Sequence, residues 1–232
     1  GASLSLHHSY EKFEGFAKVY YNQGNHVITR PDTDDVTFES VDKTYSAKVQ
    51  ETVKAFAGNK VTVGLEYKKY GGDITDGVSA TGTLMDTKME EEYLEDRSFY
   101  GMASQRLFDM VTLSAGGRYT DNSEYGGFSA YQGGVIVNPI QSMKVFANAA
   151  KGFTIPGVRY RYNMNGPSID ANADLEPERI DEIEAGVEQT LFDMLTFGVT
   201  GCKVYSENKI IIQAGKWANS DVDIDYPGVE AS

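Results

Sequence analysis

The sequence contains few of the residues that would support a disulfide-bonded, metal-binding or helical protein. Its single cysteine, Cys202, forms no internal disulfide and is not part of any metal-ligand spacing. Only 6 prolines accompany 24 glycines, a balance typical of a β-rich chain with many turns. No apolar run approaches the ~18 residues of a membrane-spanning helix. There is also no nucleophile–histidine–acid arrangement and no phosphate loop, so we do not expect an enzyme.

Positive charge is scarce as well. The 232 residues include 21 lysines and arginines against 34 acidic residues, which gives a formal net charge of −13. Binding to nucleic acid requires a basic face for the phosphates, so nucleic acid is excluded as a partner. The acidic balance is equally compatible with a soluble acidic domain and with acidic surface loops.

What the chain does contain is alternation of apolar and polar residues with a period of two. In Val61–Lys68 the apolar residues occupy the odd positions, while threonine, glycine, glutamate and lysine occupy the even ones. Val111–Tyr119 repeats the pattern. Because successive side chains of a strand point to opposite faces, this alternation predicts strands with one apolar and one polar face.

Short turns and long connections alternate along the chain. Tight turns are predicted at 11–14, 57–60, 107–110, 138–141 and 192–195. Longer polar connections are predicted between them, at 24–42, 71–93, 121–127, 153–178 and 215–222. In an antiparallel sheet this order places every short turn at one end and every long loop at the other, as in an outer-membrane barrel.

The strands are also long. About eleven are predicted, several of them longer than the ~5–6 residues usual in globular sheets. They fall at 2–11, 14–29, 41–56, 60–71, 93–106, 110–121, 127–138, 142–154, 179–192, 195–214 and 223–232. The predicted fold class is therefore all-β: an antiparallel up-and-down transmembrane β-barrel, partial, with residues 1–232 as a single barrel segment. A soluble or secreted antiparallel β-domain that binds carbohydrate or protein through its long loops would show the same one-sided alternation, and that alternative stays open.

Five segments carry a family resemblance, in the family's order and spacing. The stretches 113–119, 150–156, 172–178, 184–188 and 227–230 resemble late-barrel motifs of TonB-dependent outer-membrane receptors. Residues 20–26 and 64–67 are more loosely similar to mid-barrel strands of the cobalamin and siderophore receptor branch. The resemblance implies a bacterial outer-membrane protein in contact with lipid.

The same resemblance implies a function. Receptors of this family take up a metal–siderophore, haem or cobalamin through a ligand-gated barrel of 22 strands with an N-terminal plug domain. The plug also carries the contact with the TonB complex, and we expect these residues to contain no plug domain. Both ends of the sequence are interpreted as cut, so the chain is expected to be a fragment that supplies barrel wall and loops.

Candidate ligand-binding residues lie in the longest predicted external loop. Cations and aromatic residues alternate there, in Arg159, Tyr160, Arg161, Tyr162 and Asn163. Such side chains can hold an anionic or planar ligand by ion pairing and stacking, although tyrosines that simply pack their own loop would give the same pattern. His26, at the edge of another external loop, is a further candidate.

An acidic run near the end of the chain suggests a cation site. Asp221, Asp223 and Asp225 alternate in a loop, and clustered oxygen ligands of this kind can bind calcium. Tyr226 stands where a calcium loop of the EF-hand type needs glycine, so solvated acidic residues are the competing interpretation. No other cofactor is expected. An aromatic girdle at the membrane interface would suit Trp217, Tyr93, Tyr125 and Tyr226, and ordinary aromatic residues at the solvent edge are the competing interpretation.

Overall fold

The structure, a computed structural model, describes residues 1–29, 36–76, 88–162, 169–192 and 194–232. These residues contain thirteen strands and one short helix, α1 (Val158–Tyr162). The strands are β1 (Ala2–Ser9), β2 (Phe13–Thr29), β3 (Val36–Val53), β4 (Asn59–Asp76), β5 (Lys88–Leu107), β6 (Val111–Asn122), β7 (Gly126–Ile140), β8 (Met143–Thr154), β9 (Glu178–Leu191), β10 (Leu195–Glu207), β11 (Ile210–Gln213), β12 (Lys216–Asn219) and β13 (Ile224–Ala231).

Eleven of these strands form a single antiparallel sheet in which each strand pairs with its neighbours in sequence. The order runs from β1 to β10 and ends on β13, and β11 and β12 form a separate two-stranded hairpin. This is an up-and-down arrangement. The five connections predicted as short turns lie at one end of the sheet, which we call the turn end. The other connections, among them the short one between β6 and β7, lie at the opposite end, which we call the loop end.

The two faces of the sheet differ in chemistry, as the alternation predicted. One row, followed across six strands, reads Leu6, Ala17, Val49, Leu65, Phe99 and Tyr119. The neighbouring row on the other face includes Lys48, Glu66, Ser98 and Thr120. We call these the apolar face and the polar face.

No second layer covers the apolar face in the described part of the chain. Leu65 is 60% exposed and Ile183 is 64% exposed, although both are large aliphatic side chains. A β-sandwich would bury this face against another sheet. A contiguous uncovered apolar face marks an interaction surface, and its width across the sheet suits lipid.

Two local predictions were wrong. The predicted strand 195–214 ends at Glu207, because Asn208 adopts a left-handed φ of 56° and the chain then turns into the β11–β12 hairpin. The predicted long connection 121–127 is a turn of three residues, in which the Asn122 side-chain oxygen accepts bonds from the backbone amides of Glu124 and Tyr125. The long connection predicted at 153–178 is present between β8 and β9, and it contains α1.

None of the helices in the described residues is long and apolar enough to cross a membrane.

Candidate functional site

Helix α1 packs on the polar face at the loop end, and its position depends on one buried residue. Val158 is 9% exposed and joins Ile74, Met89 and Leu94 in a small hydrophobic core. Phe38, Tyr70, Tyr125, Ile155 and Tyr162 surround that core. The segment that leaves β8 therefore reaches across the sheet to β3, β4 and β5, instead of standing away from the sheet.

Arg161 fastens the end of α1 to the β6–β7 turn. Its side chain is 18% exposed, and Nη2 lies 3.0 Å from Glu124 Oε2. Nη1 donates to the carbonyl oxygen of Ala173. The guanidinium carbon also lies 5.4 Å from the ring centre of Tyr125 and 5.5 Å from that of Tyr162, within cation–π range. Burial of the phenol raises the pKa of Tyr125 above its ordinary value.

Tyr160 connects the same segment to the β11–β12 hairpin. Its ring centre is 4.2 Å from that of Trp217, and the planes are inclined by 36°. The Asn172 side-chain amide donates to the Trp217 carbonyl oxygen at 2.7 Å, and the Asn172 backbone amide donates to the Tyr160 carbonyl oxygen at 2.8 Å. These contacts hold two loops of the loop end together. Trp217 and Tyr125 thus pack against protein, which is not the girdle position predicted for them.

Arg159 and His26 both contact Phe38, a residue that the sequence analysis did not identify as part of a site. The Arg159 guanidinium carbon lies 5.0 Å from the ring centre of Phe38, and the His26 ring meets the same phenylalanine edge-on at 5.7 Å. Two candidates separated by more than a hundred residues are therefore brought together. The fifth residue of the predicted run, Asn163, lies outside the described residues.

We call Phe38, Glu124, Tyr125, Trp217 and residues 159–162 the loop-end cluster. Within the described residues, five buried side-chain polar atoms have no hydrogen-bond partner, and four of them belong to this cluster. All four can donate a hydrogen bond: Tyr125 Oη, Arg159 Nε, Arg161 Nε and Trp217 Nε1. Among the described residues, the cluster therefore has an excess of hydrogen-bond donors over acceptors.

Two cavities flank α1. One, of about 270 Å³, is lined by Tyr70, Ile74 and Arg159 among others. The second, of about 430 Å³, is lined by Glu124, Tyr125, Arg161 and Arg179 with residues 173–177. Cavities with a few oriented polar groups and adjoining aromatic walls are the usual form of small-molecule sites. Each of these two contains one of the predicted arginines.

Below the cluster, the polar face carries a connected hydrogen-bond network. Arg118 donates to Glu66 at 2.9 Å, to Ser98 at 2.8 Å and to Thr120 at 3.1 Å. The Tyr100 hydroxyl donates to Gln50 at 2.9 Å across β4. This crossing requires Gly64, because a Cβ there would lie 2.3 Å from the Tyr100 ring. Alternation predicted a polar face but could not predict which partners share a bond across three strands.

The predicted calcium ligands do not converge. Asp223 accepts a hydrogen bond of 2.6 Å from the Tyr205 hydroxyl, and Asp225 pairs with Lys203 at 3.2 Å. Across the part of the chain that the structure describes, no group of three or more histidine, cysteine, aspartate or glutamate side chains could hold a metal ion. Calcium at Asp221, Asp223 and Asp225 stays a prediction from the sequence, without a matching geometry.

The chain forms a single antiparallel sheet with an uncovered apolar face and a hydrogen-bonded polar face. The five predicted short turns lie at one end of the sheet and the longer loops at the other. This arrangement is that of a portion of the wall of an outer-membrane β-barrel. Residues 1–225 match the model of the family described as TonB dependent receptor-like, beta-barrel. The chain belongs to this family, whose members lie in the outer membrane of Gram-negative bacteria. The predicted fold class and location are confirmed, and the soluble β-domain alternative is removed.

Solved structures agree on the fold. The chain is similar to the ferric enterobactin receptor PfeA from Pseudomonas aeruginosa, in a mutant form bound to enterobactin, with 14% identity and a TM-score of 0.80 over 99% of this chain and 40% of that one. The siderophore receptor PirA from Acinetobacter baumannii is 16% identical, with a TM-score of 0.75 over 99% of this chain and 41% of that one. The copper transporter OprC is 13% identical, with a TM-score of 0.78 over 99% of this chain and 43% of that one. The chain thus spans about two fifths of the length of these structures. A search of curated proteins found no match.

Proposed function

We propose that this chain supplies wall and external loops to a receptor for TonB-dependent uptake of a metal–siderophore, haem or cobalamin, and that it performs no catalysis. The contact with the TonB complex would be made by a plug domain, which these residues do not include. Family membership supports the uptake role, and so do the similar solved structures, which are siderophore receptors and a copper transporter.

We infer the class of ligand from the excess of hydrogen-bond donors in the loop-end cluster. Unpaired buried donors cost free energy, and an acceptor that reaches them lowers that cost. Two guanidinium groups beside aromatic rings suit a ligand that is planar, anionic and rich in oxygen. Among the three ligand classes, this favours an anionic metal chelate or a haem carboxylate.

The experiment is a binding titration on the full reading frame that contains this chain, purified in detergent. Ferric enterobactin, haemin and cyanocobalamin are the three probes, and tryptophan quenching or calorimetry measures the dissociation constant. Replacing Arg159 by methionine keeps the aliphatic length but removes the charge and the donors. We expect R159M to weaken binding of the recognised chelate by about tenfold, the value of one charge-assisted hydrogen bond.

Arg97→Met is the matched control, because Arg97 lies on the apolar face with its side chain 70% exposed. R97M should bind like the wild type. The proposal is wrong if none of the three probes binds, or if R159M binds all of them as tightly as R97M does.

A further inference from the structure

Three lysines of the polar face have no carboxylate partner. They are Lys18 on β2, Lys48 on β3 and Lys68 on β4, and none of them forms an ion pair with any residue that the structure describes. Acidic groups are plentiful in this chain, whose net charge is −13. The lysines are therefore unpaired because of where the carboxylates lie.

Three further lysines of the polar face are all paired. Lys54 Nζ and Lys60 Nζ each lie 3.1 Å from an oxygen of Glu14, close to the turn end. Lys144 Nζ lies 3.0 Å from Glu188 Oε1, on the next strand. Pairing is thus the ordinary state of a lysine on this face, and the three unpaired lysines differ from it.

The unpaired lysines are neighbours in the sheet. Lys18 and Lys48 lie directly opposite each other in the β2–β3 register, an arrangement of like charges that destabilises a sheet. Lys68 lies two residues beyond Glu66, the partner of Lys48 in the β4 register. The Glu66 carboxylate bonds to Arg118 at 2.9 Å, so it is not available to the lysines. A patch of positive charge remains, at a cost in stability.

Aromatic rings hold these ammonium groups without neutralising them. Each lysine nitrogen lies over a tyrosine ring: Lys18 at 5.9 Å from the centre of Tyr20, Lys48 at 5.0 Å from that of Tyr100, and Lys68 at 4.4 Å from that of Tyr70. A ring face attracts a cation but carries no net charge. The full positive charge is therefore left for an anion.

A recess of about 560 Å³ in the polar face lies beside Lys48. Lys48, Tyr100 and Arg118 line one flank, and Glu182 of β9 lies on the other. The Arg118 guanidinium carbon is 5.8 Å from the centre of the Tyr100 ring, so two cations are close to the same ring. Small side chains of the neighbouring strands leave the space open: Gly116, Ala130, Ala150 and Gly152. The recess therefore has a cationic, aromatic flank.

This recess is separate from the loop-end cluster. Phe38 of that cluster and Lys48 lie ten residues apart on β3. At ~3.3 Å per residue and a strand tilt of ~40°, they are about 25 Å apart along the membrane normal. Because the apolar face contacts lipid, the polar face and its recess line the interior of the barrel.

We propose that the polar face binds an aromatic oxyanion at this recess, through Lys48, Arg118 and Tyr100. The ammonium and guanidinium groups donate charge-assisted hydrogen bonds to the oxygens, and the tyrosine ring packs against the aromatic part. Lys18 and Lys68 add positive charge beside it. The inference rests on the proposed function for the source of the anion, which would be a chelate that has left the loop-end cluster.

The test is reductive dimethylation of the full-length receptor in detergent, with each lysine followed by peptide mass spectrometry. Salicylate is the probe, and salicylamide is the neutral control of the same shape. Methylation requires the uncharged amine, and a bound anion favours the ammonium. We expect salicylate to slow methylation of Lys18, Lys48 and Lys68 at least about threefold. Salicylamide should have no effect, and the paired Lys54 and Lys60 should respond to neither compound.

Replacing Lys48 by methionine keeps the aliphatic length but removes the central charge, so in K48M salicylate should no longer protect Lys18 and Lys68. K144M is the matched control, because Lys144 lies on the same face but is paired with Glu188. In K144M the protection should equal that in the wild type.

Equal protection by salicylate and salicylamide would overturn the proposal, and so would protection in K48M as strong as in K144M. Methylation of the three lysines as slow as that of Lys54 and Lys60 before any probe is added would also overturn it, because other carboxylates of the receptor would then already hold them. A negative result here leaves the Arg159 titration unaffected, so failure of this site and failure of the proposed function are distinguishable.

Discussion

Replacement of Gly72 by alanine is expected to reduce the amount of folded receptor at least about tenfold, because the new methyl group has no space and the backbone is unsuited to it. Gly72 has a φ of 149°, and a Cβ there would lie 1.9 Å from the carbonyl oxygen of Val41 on the adjacent strand. The obstacle is a backbone atom of β3, so no side-chain rotation can relieve it. The β4–β5 register also shifts at this point, between Gly72 and Ile74. Heat-modifiable migration of the receptor from isolated outer membranes measures the folded fraction.

Two other glycines separate the causes of this effect. Gly126 has a φ of 74° but open space around its Cβ position, so G126A tests backbone strain alone, about 1 kcal/mol. Gly152 has open space and no left-handed φ, so G152A should fold like the wild type. Folding losses are expected in the order Gly72, Gly126, Gly152. Equal folding of all three variants would show that the bulge in β4 tolerates a side chain.

The second large effect is expected at Arg161. R161M removes the 3.0 Å ion pair with Glu124 and the bond to the Ala173 carbonyl oxygen, in a side chain that is 18% exposed. Bonds to a charged group in such a setting contribute about 2 kcal/mol, so local opening around α1 should become about 30-fold more frequent. Hydrogen exchange of peptides that cover 155–162 measures this rate.

Arg106→Met is the control, because the Arg106–Asp109 pair is exposed on both sides, at 58% and 91%, and lies at the turn end. R106M should leave exchange in 155–162 unchanged. E124Q should give a smaller increase than R161M, because Arg161 keeps its bond to Ala173. If R161M and R106M exchange alike, Val158 and its hydrophobic neighbours hold the helix without help from the ion pair.

The strands of the barrel wall could be predicted from the sequence because the pattern that identifies a strand lies within the strand itself. Alternation with period two is a direct consequence of strand geometry, and it located the strands of the main sheet to within a few residues along most of their length. The break after β10 was missed because it depends on one left-handed asparagine, Asn208, whose side chain bonds to Glu176 at 3.1 Å in another loop. Nothing in the local pattern indicates that bond.

The loop-end cluster could be predicted only in part, for the same reason. The alternation of cations and aromatic residues in α1 indicated the arginines and tyrosines. Their partners Phe38, Glu124 and Trp217 come from β3, the β6–β7 turn and the β11–β12 hairpin. Each is an ordinary residue in its own segment, and only the path of the chain across the sheet makes it part of the site.

The core under α1 is assembled from side chains of strands that do not adjoin the segment in sequence. Val158 packs on Ile74, Met89 and Leu94, so the position of α1 depends on side chains of β4 and β5. Residues 155–177 transplanted into another receptor would therefore lack the side chains of β4 and β5 on which α1 packs. If the loop-end cluster binds the ligand as proposed, new ligand preferences should evolve by coordinated replacement of the loop and of the residues of β4 and β5 on which it packs.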